Sequence, residues 1–371
     1  MKEEKTKLSH LGQHFNFDTS AIATSIPTSM STVIRRLGLD FRYQVQATCP
    51  KCYALYEAIP NSDSWATQHI HNTLTITCTA PFVTSLRNLS RATDHGEIPR
   101  CDEPVFKQVT TSGKIIWQPH KVFCYQKLQD WLENKLMEPK FEDLIDTPLH
   151  HIFQPGFLRD IWDGTVWRSF RYPTTEPEPY TTTSGNLVFS FYVDWFNPHG
   201  NKIGGKCIEA GAIILICLNF PPEERYKEHN IFLFGMIPGQ PSANVIYNVI
   251  QPLVDQFSQF ANGVTFDQTS RSSNGRKIRA VMLPLIADLP ALRKVAGFAS
   301  HSAAYFCSYC KLAKKDIDEI DTLRFPPRNH QDHLQWSQKW LASPDQTRKD
   351  AILKEHGVCY SPLNNLPYWK T

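Results

Sequence analysis

The stretch "NLVFSFYVDWFNPHGN", residues 186–201, decides the fold of this chain. Its first half is rich in β-branched and aromatic residues, which favour a strand. The apolar run ends at Asp194, and Asn-Pro and a glycine follow within six residues, as is typical of a turn. Asp194 is therefore either a turn-forming residue at a strand end or a carboxylate that the strand holds in place.

The sequence after this stretch predicts three more strands and one helix. Helical spacing of apolar residues predicts the helix over 243–262, and Pro252 is expected to kink it. The longest apolar run, "AGAIILICLNF", is about half the ~20 residues that span a bilayer, so it predicts a buried strand. The three strands are predicted at residues 206–220, 230–239 and 277–288.

The order strand, strand, strand, helix, strand predicts a mixed sheet. Short connections favour an antiparallel meander of the first three strands. A crossover helix then returns the fourth strand parallel to the first, which places Asp194 and Asp288 at the same sheet edge. Two close carboxylates repel each other unless a cation lies between them, and Mg²⁺ or Mn²⁺ prefers such oxygen ligands. The pair is therefore a candidate site for metal-assisted phosphoryl transfer.

The predicted strands and helices indicate an α/β fold with flanking helices, and composition sets few limits on its partners. Hydrophobic residues make up 41% of the 371, enough for a sizeable core, and 20% charged residues argue against a disordered chain. The net charge of +3 permits a polyanionic partner without requiring one. The N-terminus lacks the apolar core of a signal peptide, so secretion is not expected.

Two of the ten cysteine positions start Cys-x-x-Cys pairs, which favour metal over disulfides in a chain without a secretory signal. Four thiolates can close a tetrahedral zinc site. Either Cys78 or Cys101 could instead be an ordinary buried thiol, with His69 or His71 in its place. The predicted zinc ligands of this first group are Cys49, Cys52, Cys78 and Cys101.

The second pair, Cys307 and Cys310, follows shortly after Asp288. His330 and His333 could complete a Cys₂His₂ zinc site, or they could be polar surface residues.

Further patterns divide the chain into segments. In "HKVFCYQKLQDWLENKLMEP", Val122, Tyr125, Leu128, Leu132 and Leu136 recur at near-helical spacing, so the whole stretch is predicted to be a helix that Pro139 ends. The segments are a polar, disordered N-terminus at 1–40, a zinc-binding region with a helix at 41–150, a Pro/Thr-rich linker at 151–183, a core with a Cys-pair insertion at 184–320, and a helical tail at 321–371.

Several unusual motifs occur together in a fixed order. They are "CPKCYALYE", "RCDEPVF", "DIWDGTVWRSF", "VDWFNPHGN", "LNFPPEERYKEHNIFLFGMIPGQPSANVIYNVIQPLVDQF" and "IADLPALRKVAGFASHSAAYFCSYC". From about residue 40 onward, the chain resembles the transposases of CACTA-type (En/Spm-like) DNA transposons, most closely forms scattered through fungal genomes.

The resemblance implies a DDE/D-type transposase. Its RNase H-like catalytic core would occupy residues 184–320, preceded by a small zinc-ribbon-like region. Asp194 and Asp288 fall on the first two acidic motifs of the family and would hold Mg²⁺ or Mn²⁺. Trp195 stands where the family has a small residue, and Ala287 where it has Asn. Cys307 and Cys310 match the family's Cys pair beyond the second acid.

Such enzymes bind duplex DNA at transposon ends, hydrolyse a strand and join its 3′-hydroxyl to target DNA. The implied location is nuclear, with no membrane partner, and a homo-oligomer is left open. The family's third acid is expected further along than Thr371, so the tail is expected to be truncated and the 371-residue product catalytically weak or inactive. The alternative is a non-catalytic, zinc-stabilised DNA- or protein-binding remnant of a transposase.

Overall fold

The computed structural model describes residues 42–57, 77–80, 101–172, 176–198 and 209–370. The predicted disordered segment 1–40 and the alternative zinc ligands His69 and His71 lie outside these ranges. Contacts divide the chain after Tyr43, and every element below lies in the unit Gln44–Thr371 except the first residue of β1.

The described part holds ten strands. They are β1 (Tyr43–Thr48), β2 (Leu55–Glu57), β3 (Phe106–Thr111), β4 (Lys114–Pro119), β5 (Lys121–Gln126), β6 (Asn186–Phe196), β7 (Ala210–Cys217), β8 (Ile231–Pro238), β9 (Val264–Phe266) and β10 (Arg276–Ile286). Strands β3 and β4 form a separate antiparallel pair, and the other eight form one sheet in the order β2-β1-β5-β8-β7-β6-β10-β9.

The predicted topology of the mixed sheet is confirmed. Strands β6, β7 and β8 form an antiparallel meander. Strand β10 returns parallel to β6 after a helix, as a crossover connection requires. The sheet takes strands from both the predicted 41–150 and 184–320 segments, and the segment boundaries themselves stay predictions.

Eight α-helices accompany the strands in the described ranges. They are α1 (Leu128–Leu136), α2 (Phe141–Asp146), α3 (Thr165–Ser169), α4 (Pro222–Arg225), α5 (Tyr247–Asn262), α6 (Leu289–Ala296), α7 (His330–Ala342) and α8 (Gln346–His356). Helix α5 is the predicted crossover helix and continues through Pro252.

The helix predicted over the whole stretch before Pro139 is wrong in its first half. Residues Val122 and Tyr125 belong to strand β5, and only the part from Leu128 is helical. Strand β5 pairs with β8 through Cys124 and Tyr125. Pairing with a distant strand therefore outweighs the local helical spacing, because sheet partners are set by tertiary contacts.

Aromatic side chains join the helices to the sheet. Phe189 of β6 lies against Trp131 of α1 and Phe257 of α5, with ring centroids 6.3 and 5.8 Å apart. All three rings are at least nine-tenths buried. These contacts fix β6, which carries Asp194 near its C-terminal end, in the hydrophobic core.

A buried ion pair joins the segment before β6 to helix α4. Arg225 is 3% exposed and donates from both terminal nitrogens to Asp160 at 2.9 Å. Since removing one partner leaves a buried charge unpaired, Arg225→Met should lower the free energy of unfolding by about 3–5 kcal/mol. Arg271→Met is the matched control, because its pair with Asp143 is exposed and should be worth about 1 kcal/mol or less. Equal losses in urea denaturation would contradict this ranking.

Candidate functional site

A β-bulge aligns the two aspartates at one edge of the sheet. Met282 of β10 pairs with Phe189 of β6, but Leu285 pairs with Phe191, so β10 carries one extra residue around Pro284. A bulge tolerates proline, which has no N–H to donate. Ile286, the last residue of β10, pairs with Tyr192 of β6. Asp288 and Asp194 each lie two residues further along the chain from this pair. Without the bulge, Ala287 would stand at that level.

Each carboxylate is oriented by one backbone N–H. Asp194 is exposed at the end of β6, and its Oδ1 accepts from the N–H of Trp195 at 2.8 Å. Asp288 is the N-cap of α6, and its Oδ1 accepts from the N–H of Ala291 at 2.8 Å. Among the residues that the structure describes, neither carboxylate has a further hydrogen-bond or ion-pair partner. Each therefore keeps one oxygen that a cation can use.

The indole ring of Trp195 lies against the neighbouring strand β7. It pairs with Gly211 of β7, and a Cβ at Gly211 would come within 2.9 Å of the indole Nε1. The same Nε1 donates to the carbonyl of Gly239 at 3.3 Å. The glycine therefore makes room for the large indole side chain of Trp195.

Two charged residues at this edge were missed by sequence reasoning. Glu209 directly precedes β7, whose first residue Ala210 pairs with Phe196 at the end of β6. Lys294 of α6 places its Nζ 4.5 Å from the centroid of the Trp195 ring. Burial lowers the pKa of Lys294, and the charges of Glu209 and Asp288 oppose that shift. The sequence carries no signal that could have found either residue, because their positions depend on the register of β7 and on where α6 packs.

The four predicted zinc ligands come together in the structure. Cys49, Cys52, Cys78 and Cys101 are all buried, and their sulfur atoms lie within 4.8 Å of one another. The Sγ atoms of Cys49 and Cys101 are 3.8 Å apart, and those of Cys52 and Cys78 are 3.4 Å apart. A tetrahedron with zinc–sulfur bonds of about 2.3 Å has edges of about 3.8 Å, so the cluster fits a zinc ion.

Two turns build this cluster. Cys49 and Cys52 flank a turn in which the N–H of Tyr53 donates to the Cys49 carbonyl at 3.1 Å, and Tyr53 has a φ of 60°. The N–H of Cys101 donates to the Ala80 carbonyl at 2.9 Å, which brings Cys101 beside Cys78 despite their separation in sequence. Cys78 and Cys101, either of which the sequence left open as a ligand, therefore both belong to the cluster.

Burial and mutual hydrogen bonds shift the pKa values of the clustered thiols in opposite directions. Hydrogen bonding with the Cys52 side chain lowers the pKa of Cys49 to about 5, and the bond shared with Cys49 and burial raise the pKa of Cys52. Burial raises the pKa of Cys101 to about 11. Thiolates packed this closely repel one another, and zinc binding removes both that repulsion and the protons.

The cluster is attached to the sheet edge that carries Asp194. Lys121 of β5 donates to the Pro50 carbonyl at 3.2 Å and to the Tyr53 hydroxyl at 2.7 Å. A Cβ at Gly239 would lie 3.1 Å from that same hydroxyl, and Gly239 is the acceptor of the Trp195 indole. The edge of the sheet with Asp194 and Asp288 is called the acid edge below. Gly239 contacts both the cysteine turn and Trp195 at the acid edge.

A family model with the description "transposase family tnp2" matches residues 155–349, more than half of the chain. The chain belongs to this transposase family. Asp194, Asp288, Cys307 and Cys310 of the transposase lie within the matched range, and the four-cysteine cluster lies before it. No curated protein matches the chain.

The second cysteine group of the transposase does not form a comparable cluster. Where side chains are described, the four-cysteine cluster is the one group of three or more cysteine, histidine or acidic ligands close enough for a metal. Cys307 and Cys310 are half-buried, and His333 of α7 is buried against Phe298 with ring centroids 4.7 Å apart. A Cys₂His₂ site with His330 stays a prediction.

None of the transposase helices in the described ranges combines the length and the apolar character needed to cross a bilayer.

Proposed function

We propose that this transposase is of the DDE/D type, with an RNase H-like core at residues 184–320, and that it belongs with the CACTA-type enzymes. It cleaves and joins DNA strands at transposon ends with the help of Mg²⁺ or Mn²⁺. One observation carries the proposal: the parallel pairing of β6 with β10 and its bulge bring Asp194 and Asp288 to the same edge. Family membership supports the substrate class, duplex DNA, and with it a nuclear location.

The residues at this edge fit a hard divalent cation. Mg²⁺ takes oxygen ligands and keeps several waters, which suits two carboxylates that each retain an unused oxygen. When bound, the metal polarises phosphoryl oxygens and makes water a stronger nucleophile. The chain contributes orientation, because the N–H groups of Trp195 and Ala291 fix the carboxylates before any substrate arrives.

Zinc in the four-cysteine cluster has a structural role in this proposal. All four ligands are buried thiols, so the site is closed and leaves no position for a substrate. Its completeness outside the matched residues favours a second candidate function, a non-catalytic, zinc-stabilised module that binds DNA or protein.

Metal-dependent nicking of supercoiled plasmid separates the two candidates. With Mn²⁺, the purified chain should convert plasmid to nicked circles slowly, and Asp194→Asn and Asp288→Asn should each reduce the rate by about 100-fold or more. The matched control is Asp255→Asn, which changes an exposed acid on α5 and should leave the rate unchanged.

If no nicking is detected, binding of the chain to the same plasmid is measured. Plasmid that is bound but never nicked, with binding lost in Cys49→Ser and kept in Asp194→Asn, would establish the binding module and reject the catalytic proposal.

A further inference from the structure

The ammonium of Lys294 is fixed beside the acid edge without an ion-pair partner. Its Nζ rests on the Trp195 ring at 4.5 Å, and the side chain is half-buried. Throughout the described ranges, it takes part in no hydrogen bond and no ion pair within 4.0 Å. Three N–H donors therefore remain available in a place where the ring restricts the position of the charge.

Two arginines of β10 differ from Lys294 in this respect. Arg276 donates to Glu142 at 3.0 Å and to Asp146, and Arg279 donates to Glu176 at 3.0 Å. These cations are neutralised by acids of the same chain and brace the structure. Lys294 keeps its charge at the opposite end of β10, next to Asp288.

The acids near Lys294 interact with its ammonium at longer range than a salt bridge. Glu209 and Asp288 both interact electrostatically with the ammonium, although neither forms an ion pair with it. An edge with three acids, Asp194, Asp288 and Glu209, repels the phosphates of DNA. A cation located among these acids offers an approaching phosphate one favourable contact.

We propose that Lys294 binds a phosphate oxygen of the DNA strand that enters the acid edge, with Trp195 as its support. This inference rests on the proposed function, since it places DNA at that edge. A lysine ammonium is a suitable phosphate ligand, and its flexible stem adjusts to the oxygen that is presented. Contact with a phosphate would position the strand relative to Asp194 and Asp288.

The salt dependence of DNA binding tests this contact without any cleavage. Affinity for a fluorescently labelled duplex of random sequence is measured by anisotropy, in Ca²⁺, over a series of salt concentrations. Each phosphate contact contributes about 0.9 to the slope of log affinity against log salt. Lys294→Met should reduce the slope by about 1, because methionine keeps an apolar stem on Trp195 but has no charge. Lys294→Arg should retain the slope of the unmodified chain.

Lys349→Met is the matched control. Lys349 of α8 also rests on an indole, with its Nζ 4.6 Å from the Trp340 ring, and burial likewise lowers its pKa. Its removal should leave the slope unchanged. An unchanged slope in Lys294→Met, or an equal loss in Lys349→Met, would overturn the proposal. The nicking assay judges the proposed function separately, because it follows strand cleavage and this experiment follows binding alone.

Discussion

Replacing Cys78 by serine is expected to release zinc from the chain and to lower the free energy of unfolding by about 5 kcal/mol or more. The purified chain should contain one zinc ion per molecule in the four-cysteine cluster, and Cys78→Ser should contain far less. The reason is that the cluster joins segments that lie far apart in the sequence, so that metal binding energy is also folding energy. Elemental analysis and urea denaturation measure the two effects.

The matched control is Cys124→Ser. Cys124 of β5 is a half-buried thiol outside the cluster, so its replacement should leave the zinc content at one ion per chain. Tyr56→Phe tests the surroundings of Cys78, since the Tyr56 hydroxyl donates to that sulfur at 3.1 Å. It should weaken zinc binding by about 10-fold, as other losses around a metal ligand do. Full zinc content in Cys78→Ser would show that Cys78 is not a ligand.

Loss of either aspartate at the acid edge should weaken binding of a divalent cation by about 100-fold or more. Asp194→Asn and Asp288→Asn each replace a charged oxygen ligand with a neutral amide, which holds Mn²⁺ poorly. Asparagine is also a good N-cap, so Asp288→Asn keeps the first turn of α6. Titration with Mn²⁺, followed by electron paramagnetic resonance, measures the affinity.

Two further variants separate ligand loss from indirect effects. Glu209→Gln removes a negative charge from the same edge and should reduce the affinity by less than either aspartate variant, because Glu209 precedes β7 and is not on a parallel strand end. Asp288→Ala removes both the carboxylate and the cap, so it should add about 1 kcal/mol of destabilisation to the loss of metal. Equal affinities in Asp194→Asn and the unmodified chain would contradict the assignment.

The order of elements was enough to predict the central topology. Short connections predict a meander of β6, β7 and β8, and a crossover helix predicts a parallel return by β10; the observed pairing agrees. The Cys-x-x-Cys spacing likewise predicted the first two members of the cluster. Cys78 and Cys101 were named as the other two ligands with alternatives left open, and the structure brings both to the cluster.

Features that depend on distant partners were not predictable in the same way. Strand β5 has helical spacing but lies next to β8, and the bulge at Pro284 becomes visible only when β10 is aligned with β6. Lys294 and Glu209 are ordinary charged residues in the sequence. Their electrostatic interaction with each other depends on where α6 packs and on the register of β7.

X-ray anomalous scattering from crystals grown with Mn²⁺ would test the central claim most directly. A manganese peak should lie within about 2.0–2.4 Å of carboxylate oxygens of both Asp194 and Asp288. Data at the zinc edge should show a second, separate peak among the four cysteine sulfurs. A structure with zinc among the cysteines and no manganese between the two aspartates would contradict the account of the acid edge.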